Sequence, residues 1–206
     1  RSTLFPYTTL FRSRTGELKS IDLGGGFKVP YKAGDAETDM ELLAQKVKEA
    51  FDSHPVAKGL QVWFEPGKFL VSECGYFVAQ VNVLKKTAAT TFVSINSGFN
   101  HLIRPMFYDS YHRIENISNP GGEEKNYSVV GNICETDTFA WDRKLTEVKE
   151  GDYLVFYNAG AYGFEMSSNF NSRYKPAEVM IKNNKAYLVR KRDVFDDLLK
   201  NQIEIS

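Results

Sequence analysis

The segment GNICETDTFAWD at residues 131–142 sets a cysteine directly beside a carboxylate, Cys134 followed by Glu135. Buried structural cysteines sit among apolar neighbours, whereas a working thiol or thiolate needs polar company and access. The competing explanation is an incidental cysteine after the apolar run YSVVGNI, and the motif alone leaves both open. Upstream, HLIRPMFYDSYH places Arg104 and Tyr108 four residues apart, with His101 and His112 on either side. Arginine is the preferred two-pronged receptor for a carboxylate, although an exposed arginine on a surface loop would read the same way. No third ligand stands at useful spacing from the two histidines, so they are expected to be structural, and no metal site is expected.

Three glycines, Gly24, Gly25 and Gly26, follow an apolar run, where bare backbone amides can approach an anion closely. The run lacks both the Gly-Lys-Ser/Thr of a P-loop and dinucleotide spacing, so alone it is equally a tight turn. A second turn, Glu65-Pro66-Gly67-Lys68, ends another apolar run and adds a positive charge. Two such turns at the same ends of two strands point to a phosphate cradle in the mouth of an α/β sheet or barrel. Tyr162 stands between glycines in GAYG, exposed enough for its phenol to reach a ligand, with a core tyrosine as the alternative.

The elements that must position these groups fall into two styles. From Lys19, KSIDLGGGF reads as a short buried strand. ETDMELLAQKVKEAF then carries Met40, Leu43, Val47 and Phe51 at helical spacing behind a polar start at Thr38–Asp39. GLQVWFEPG reads as a second buried strand, which completes a parallel βαβ unit whose ligands lie beyond the carboxyl ends of the strands. After about residue 75, YFVAQVNVLKK, TTFVSIN, YSVVGNI, DYLVFYN, AEVMIKN and KAYLVRK are short β-branched and aromatic segments separated by turn residues. They predict a mostly antiparallel β-domain, with a hairpin turn at Asn183–Asn184 and a short closing helix in DVFDDLLKN.

Composition excludes several classes. The 206 residues include 26 basic and 26 acidic side chains, so the net charge is zero and no nucleic-acid or membrane-surface footprint is expected. No apolar run approaches the roughly 18 residues of a membrane span. Two cysteines, Cys74 and Cys134, do not make a disulfide scaffold and suit a reducing, cytoplasmic setting. Residues 3–13, TLFPYTTLFRS, match the conceptual translation of a common sequencing adapter. Residues 1–13 are therefore expected to be non-native, and the natural protein is expected to extend upstream.

Taken in order, DLGGGF, FEPGKFLVSECG, NSGFNHLIRPMFYDSYH, GNICETDT, GDYLVFYNAGAYG and FNSRYKPAEV resemble the C-terminal part of the diaminopimelate decarboxylases, from about Ile21 to Arg192. That family uses pyridoxal 5'-phosphate (PLP) and joins an alanine-racemase-like (β/α)8 barrel to a β-domain. The resemblance implies α/β plus all-β architecture. Residues 14–75 would be the end of a PLP-binding barrel, and 76–206 a mostly antiparallel β-domain with a terminal helix. It implies that Gly24, Gly25 and Gly26, with Glu65, Pro66, Gly67 and Lys68, hold the cofactor phosphate, and that Tyr162 reaches both cofactor and substrate. Arg104 and Tyr108, with Lys68, would hold the distal carboxylate of a small amino-acid substrate. Cys134 would be the catalytic proton donor and Glu135 the partner of the distal ammonium. Both would act in trans across a homodimer that makes lysine.

Three departures from the family pattern matter. Lys68 stands where the turn usually ends in arginine, which keeps the charge and loses the bidentate fork. The usual Cys-Glu-Ser-x-Asp becomes Cys-Glu-Thr-Asp-Thr, which puts Thr138 at the aspartate position and Asp137 one place early. A local shift, a subfamily or a changed substrate would each account for it. The cofactor-anchoring lysine and the phosphate-side histidine have no match here and would lie upstream of residue 14, so this chain alone is expected to be inactive. Sister decarboxylases of carboxynorspermidine, ornithine or arginine, and a non-catalytic β-domain binding module, remain as alternatives.

Overall fold

The computed structural model describes residues 18–205. The adapter-like segment 1–13 lies outside the described residues, as does the start at residue 14 expected for the α/β part. The chain divides between Leu70 and Val71 into two units.

In the first unit, β1 (Ser20–Asp22) and β2 (Gln61–Trp63) pair in parallel, Ile21 opposite Val62, and α1 (Met40–Asp52) lies between them in sequence. This is the strand–helix–strand order expected. Asp39 caps α1 through its side chain, which accepts from the Leu42 amide at 2.9 Å. Burial departs from expectation: Val62 is half-buried, Trp63 is 58 % exposed, and no residue of α1 is buried, Met40 being exposed. Parallel strands become buried when further strands and helices cover both faces. Among the described residues this unit has two three-residue strands and one long helix. Phe27, Val29 and Ala57 are its buried apolar residues, and Phe27 packs against Phe64 and Phe69 at 5.7 and 5.9 Å.

The short helix α2 (Gly67–Val71) leads into the second unit. There β3 (Phe77–Lys86), β4 (Thr91–Ile95), β5 (Ile114–Asn116), β6 (Glu124–Val130), β7 (Thr138–Thr146) and β8 (Tyr153–Phe156) form one sheet in the order β5-β8-β3-β4-β6-β7. Only the β4–β6 pairing is parallel. Between those two strands the chain makes α3 (Arg104–Tyr108) and β5, neither foreseen from the sequence. The sheet curls, and Arg143 of β7 donates to the His112 carbonyl just before β5 at 2.6 Å.

Alternation fills the core. Val93 and Ile95 of β4, Val129 of β6, and Leu154 and Phe156 of β8 are fully shielded, each contributing about 1.5–3 kcal/mol of apolar burial. Phe77, Phe139 and Phe156 stack together with centroids 5.2 to 6.2 Å apart. Beyond this sheet, β9 (Glu178–Lys182) and β10 (Lys185–Arg190) form a separate antiparallel hairpin, followed by α4 (Phe195–Leu199). Its turn residues Asn183 and Asn184 have φ of 52° and 57°, the pair of left-handed conformations a two-residue hairpin turn needs.

Candidate functional site

In the first unit the two glycine turns lie side by side. β1 continues through Leu23, whose amide donates to the Trp63 carbonyl at 2.9 Å, and the Glu65 amide donates to the Gly24 carbonyl at 2.9 Å. Asp22 steadies the bend by accepting from the Gly24 amide at 2.8 Å. Gly24 and Gly26 have φ of +72° and +84°, which side chains rarely adopt, and a Cβ on Gly25 would lie 2.5 Å from the Glu65 carbonyl oxygen. All three positions therefore require glycine. The Gly25 and Gly26 amides, both on exposed residues, donate to no group among the described residues. Pro66 precedes the first turn of α2, and Lys68 within that turn makes no ion pair among the described residues. Bare amides beside a glycine turn and an unpaired cation are the donor set a phosphate group requires.

In the second unit the structure brings Arg104, Tyr108 and Tyr162 together. Arg104 opens α3, with buried Pro105 fixing the first turn and Asp109, at φ 51°, ending it. The Arg104 guanidinium lies 5.9 Å from the Tyr108 ring centre and 5.2 Å from that of Tyr162. Its Nη2 donates to Ser110 Oγ at 3.3 Å, while Nε is shielded from solvent and has no partner among the described residues. No carboxylate pairs with it among those residues. A guanidinium between two phenols with no ion-pair partner among the described residues has the chemistry to receive a carboxylate.

Tyr162 owes its place to a backbone crossing. Gly160 passes so close to the preceding turn that a Cβ there would lie 1.8 Å from the Val71 carbonyl oxygen, and one on Gly75 would lie 2.3 Å from the Gly160 Cα. The Gly160 amide donates to Ser72 and the Ala159 amide to Gly75, at 3.0 and 2.9 Å. Tyr162 itself takes φ +58°, strained for a side-chain-bearing residue, and its amide donates to Glu165. The residue remains 42 % exposed.

Cys134 and Glu135 are brought to a different place, the exposed tip of the β6–β7 loop rather than a strand end. Asn171 Nδ2 donates to Cys134 Sγ at 3.7 Å. Neither residue hydrogen-bonds to the Arg104 cluster. Cys74 is also an exposed free thiol, and its Sγ donates to the Val71 carbonyl at 3.0 Å. The histidines do act structurally: His101 bridges Ser97 Oγ and the Tyr174 carbonyl at 2.7 and 2.9 Å, and His112 donates to the Tyr157 carbonyl at 2.8 Å. Burial holds both below their ordinary value, with Arg104 and Arg143 adding to the effect at His112.

Sequence reasoning missed Ser110, which props the guanidinium, and the Gly75–Gly160 crossing, which depends on residues 85 apart and leaves no local pattern. It noted Asp137 only as a misplaced residue, yet that carboxylate is buried and accepts from two backbone amides. Thr138, one place later, is half-buried at the start of β7.

Comparisons with known proteins identify the family and the fold. Residues 39–160 match the family model described as pyridoxal-dependent decarboxylase, C-terminal sheet domain. A curated diaminopimelate decarboxylase from Methanothermobacter thermautotrophicus is 40% identical over 191 residues, covering 90% of this chain and 44% of that protein. A crystal structure from Aquifex aeolicus superposes with a TM-score of 0.87 at 34% identity, covering 97% of this chain and 49% of that one. The M. jannaschii diaminopimelate decarboxylase in co-complex with L-lysine superposes with a TM-score of 0.85 at 30% identity, covering 97% of this chain and 46% of that one. The chain thus spans about half the length of the curated relatives it matches. By its motifs, its curled sheet and these matches, the chain belongs to the pyridoxal-dependent decarboxylases and carries their C-terminal sheet domain.

Proposed function

We propose that the complete protein decarboxylates meso-diaminopimelate to L-lysine and carbon dioxide in the cytoplasm, as a PLP-dependent homodimer serving lysine biosynthesis. The observation that carries this is Arg104, set between Tyr108 and Tyr162 with no carboxylate paired to it among the described residues. It supplies a receptor for a second carboxylate, which ornithine and arginine lack. The bound PLP supplies the electron sink for the bond to the departing carboxylate. The Gly24–Gly26 and Glu65–Lys68 turns fit its phosphate, because the Gly25 and Gly26 amides are bare and Lys68 makes no ion pair among the described residues. In this reading Tyr162 serves both cofactor and substrate, and Lys68 supplies positive charge for the distal carboxylate. Cys134 Sγ delivers a proton to the carbon that has lost its carboxylate, and Glu135 holds the distal ammonium. Their exposed position on a loop separate from the Arg104 cluster supports action in the partner subunit's site.

The test joins this chain to the remainder of its natural reading frame, adds PLP, and measures carbon dioxide release from meso-diaminopimelate, ornithine, arginine and carboxynorspermidine. Diaminopimelate is expected to be preferred. Arg104→Ala should lower kcat/KM about a hundredfold or more, and Cys134→Ala should lower kcat. A substrate without the second carboxylate, turned over equally well, would overturn the role of Arg104. Without that remainder the chain is expected to show no turnover.

A further inference from the structure

We propose that Asp137 is a positioning residue for the Cys134–Glu135 pair, its carboxylate being the peg around which the loop presenting both side chains is wound. The inference rests on the reading that those two side chains act on substrate. The loop leaves β6 at Val130 and enters β7 at Thr138. Asp137 Oδ2 accepts from the Ile133 amide at 2.9 Å and Oδ1 from the Phe99 amide at 2.7 Å. Its carbonyl accepts from the Gly131 amide at 2.7 Å, and the Asn132 amide donates to the Ser97 carbonyl at 2.9 Å. One residue thus closes the loop on itself and ties it to the Ser97–Phe99 segment. Asp137 is 6 % exposed, whereas Cys134, Glu135 and Thr136 just before it are all exposed.

The surroundings are cut to the carboxylate. A Cβ on Gly131 would lie 2.0 Å from Oδ2, and one on Gly98 would lie 2.8 Å from it. Neither glycine has a positive φ, so close neighbours and not the backbone conformation demand them: the carboxylate at Gly131, and the Ile133 side chain together with the carboxylate at Gly98. The two amides reach different oxygens, so asparagine would set its NH2 against one of those amides, and glutamate is a methylene too long for the space. No cation pairs with Asp137 among the described residues, and burial raises its pKa against the two amide bonds that lower it. A buried charge held only by loop amides makes the loop's shape depend on that one side chain.

The test uses the chain with Cys74→Ser, leaving Cys134 as the only thiol. Amide exchange at Ile133 and Phe99, and alkylation of Cys134 by iodoacetamide, are compared among the parent, Asp137→Asn and Gly131→Ala, with exchange in β3 and β8 reporting the fold. Asp137→Asn should speed exchange at one of the two amides about tenfold or more while β3 and β8 stay protected. Gly131→Ala keeps Asp137 but crowds it, and both variants should change the rate of Cys134 alkylation from that of the parent. Unchanged exchange and alkylation in both variants would overturn the proposal, as would protection lost evenly across β3 and β8. In the complete enzyme, Asp137→Asn should lower kcat and raise KM, and neither moving would also overturn it. If Cys134→Ala retains turnover while the loop measurements come out as expected, the functional reading fails and the anchoring by Asp137 stands.

Discussion

At the scale of single residues, the second unit stores its charge sensitivity in two histidines. His101 and His112 are held neutral, chiefly by burial, so their folded pKa values lie below the ordinary 6.5. The unfolded chain takes up protons there before the folded one does. Their contribution is therefore complete above 6.5 and is lost as pH falls through the lower folded values. Melting temperature should drop between about pH 7.5 and 5, and His101→Gln should flatten that drop. A melting temperature constant over this range would refute the assignment. A steric prediction stands beside it: Gly160→Ala pushes a Cβ to 1.8 Å from a backbone oxygen, which no rotamer can relieve. It should cost about 1–3 kcal/mol or more in denaturant unfolding. The residue types were legible in the sequence because arginine, paired tyrosines and a cysteine beside glutamate carry their chemistry in their identity. What was not legible is which residues hold them. Ser110 and Asp137 act through distances and burial that exist only once the chain has folded.

At the scale of elements, short-range signals were read correctly where a local rule decides the structure. Asp39 caps α1 because its oxygen reaches the Leu42 amide, and Asp39→Ala should cost about 1 kcal/mol, seen as faster exchange in the first turn of the helix. The Asn183–Asn184 turn followed from the side chains that best tolerate left-handed backbone. Asn184→Gly should keep or slightly raise stability, whereas Asn184→Val should lower it by about 1–2 kcal/mol. Equal stability of the two variants would show that the turn is not what sets this hairpin. β5 and β7 escaped notice for different reasons. β5 is only three residues long, and β7, TFAWDRKLT, carries polar and charged residues through the middle of its run. Burial of β1 and β2 was overestimated because an apolar run states what can be covered, not what covers it.

At the scale of the whole molecule, the two units differ in what they bury. The second has a continuous apolar core, from Ala79 on β3 to Phe156 on β8, whereas the first shields few apolar side chains among the described residues. Slow hydrogen exchange should therefore be confined to β3, β4, β6, β7 and β8, with residues 18–70 exchanging far sooner. Comparable protection in β1 and β2 would contradict this. The hairpin β9–β10 turns Val179, Ile181, Leu188 and Val189 to solvent, each more than half exposed. Concentration-dependent scattering that Ile181→Lys relieves would show that this face drives self-association.

The crossing of Gly75 and Gly160 has a consequence for anyone who would recombine this protein with a relative. The loop bearing Tyr162 and the turn at Ser72–Gly75 are shaped against each other at backbone distance, so neither is an independent module. A graft of the GAYG loop alone would inherit a seat moulded for a different occupant. The two pieces, far apart along the chain, have to travel together.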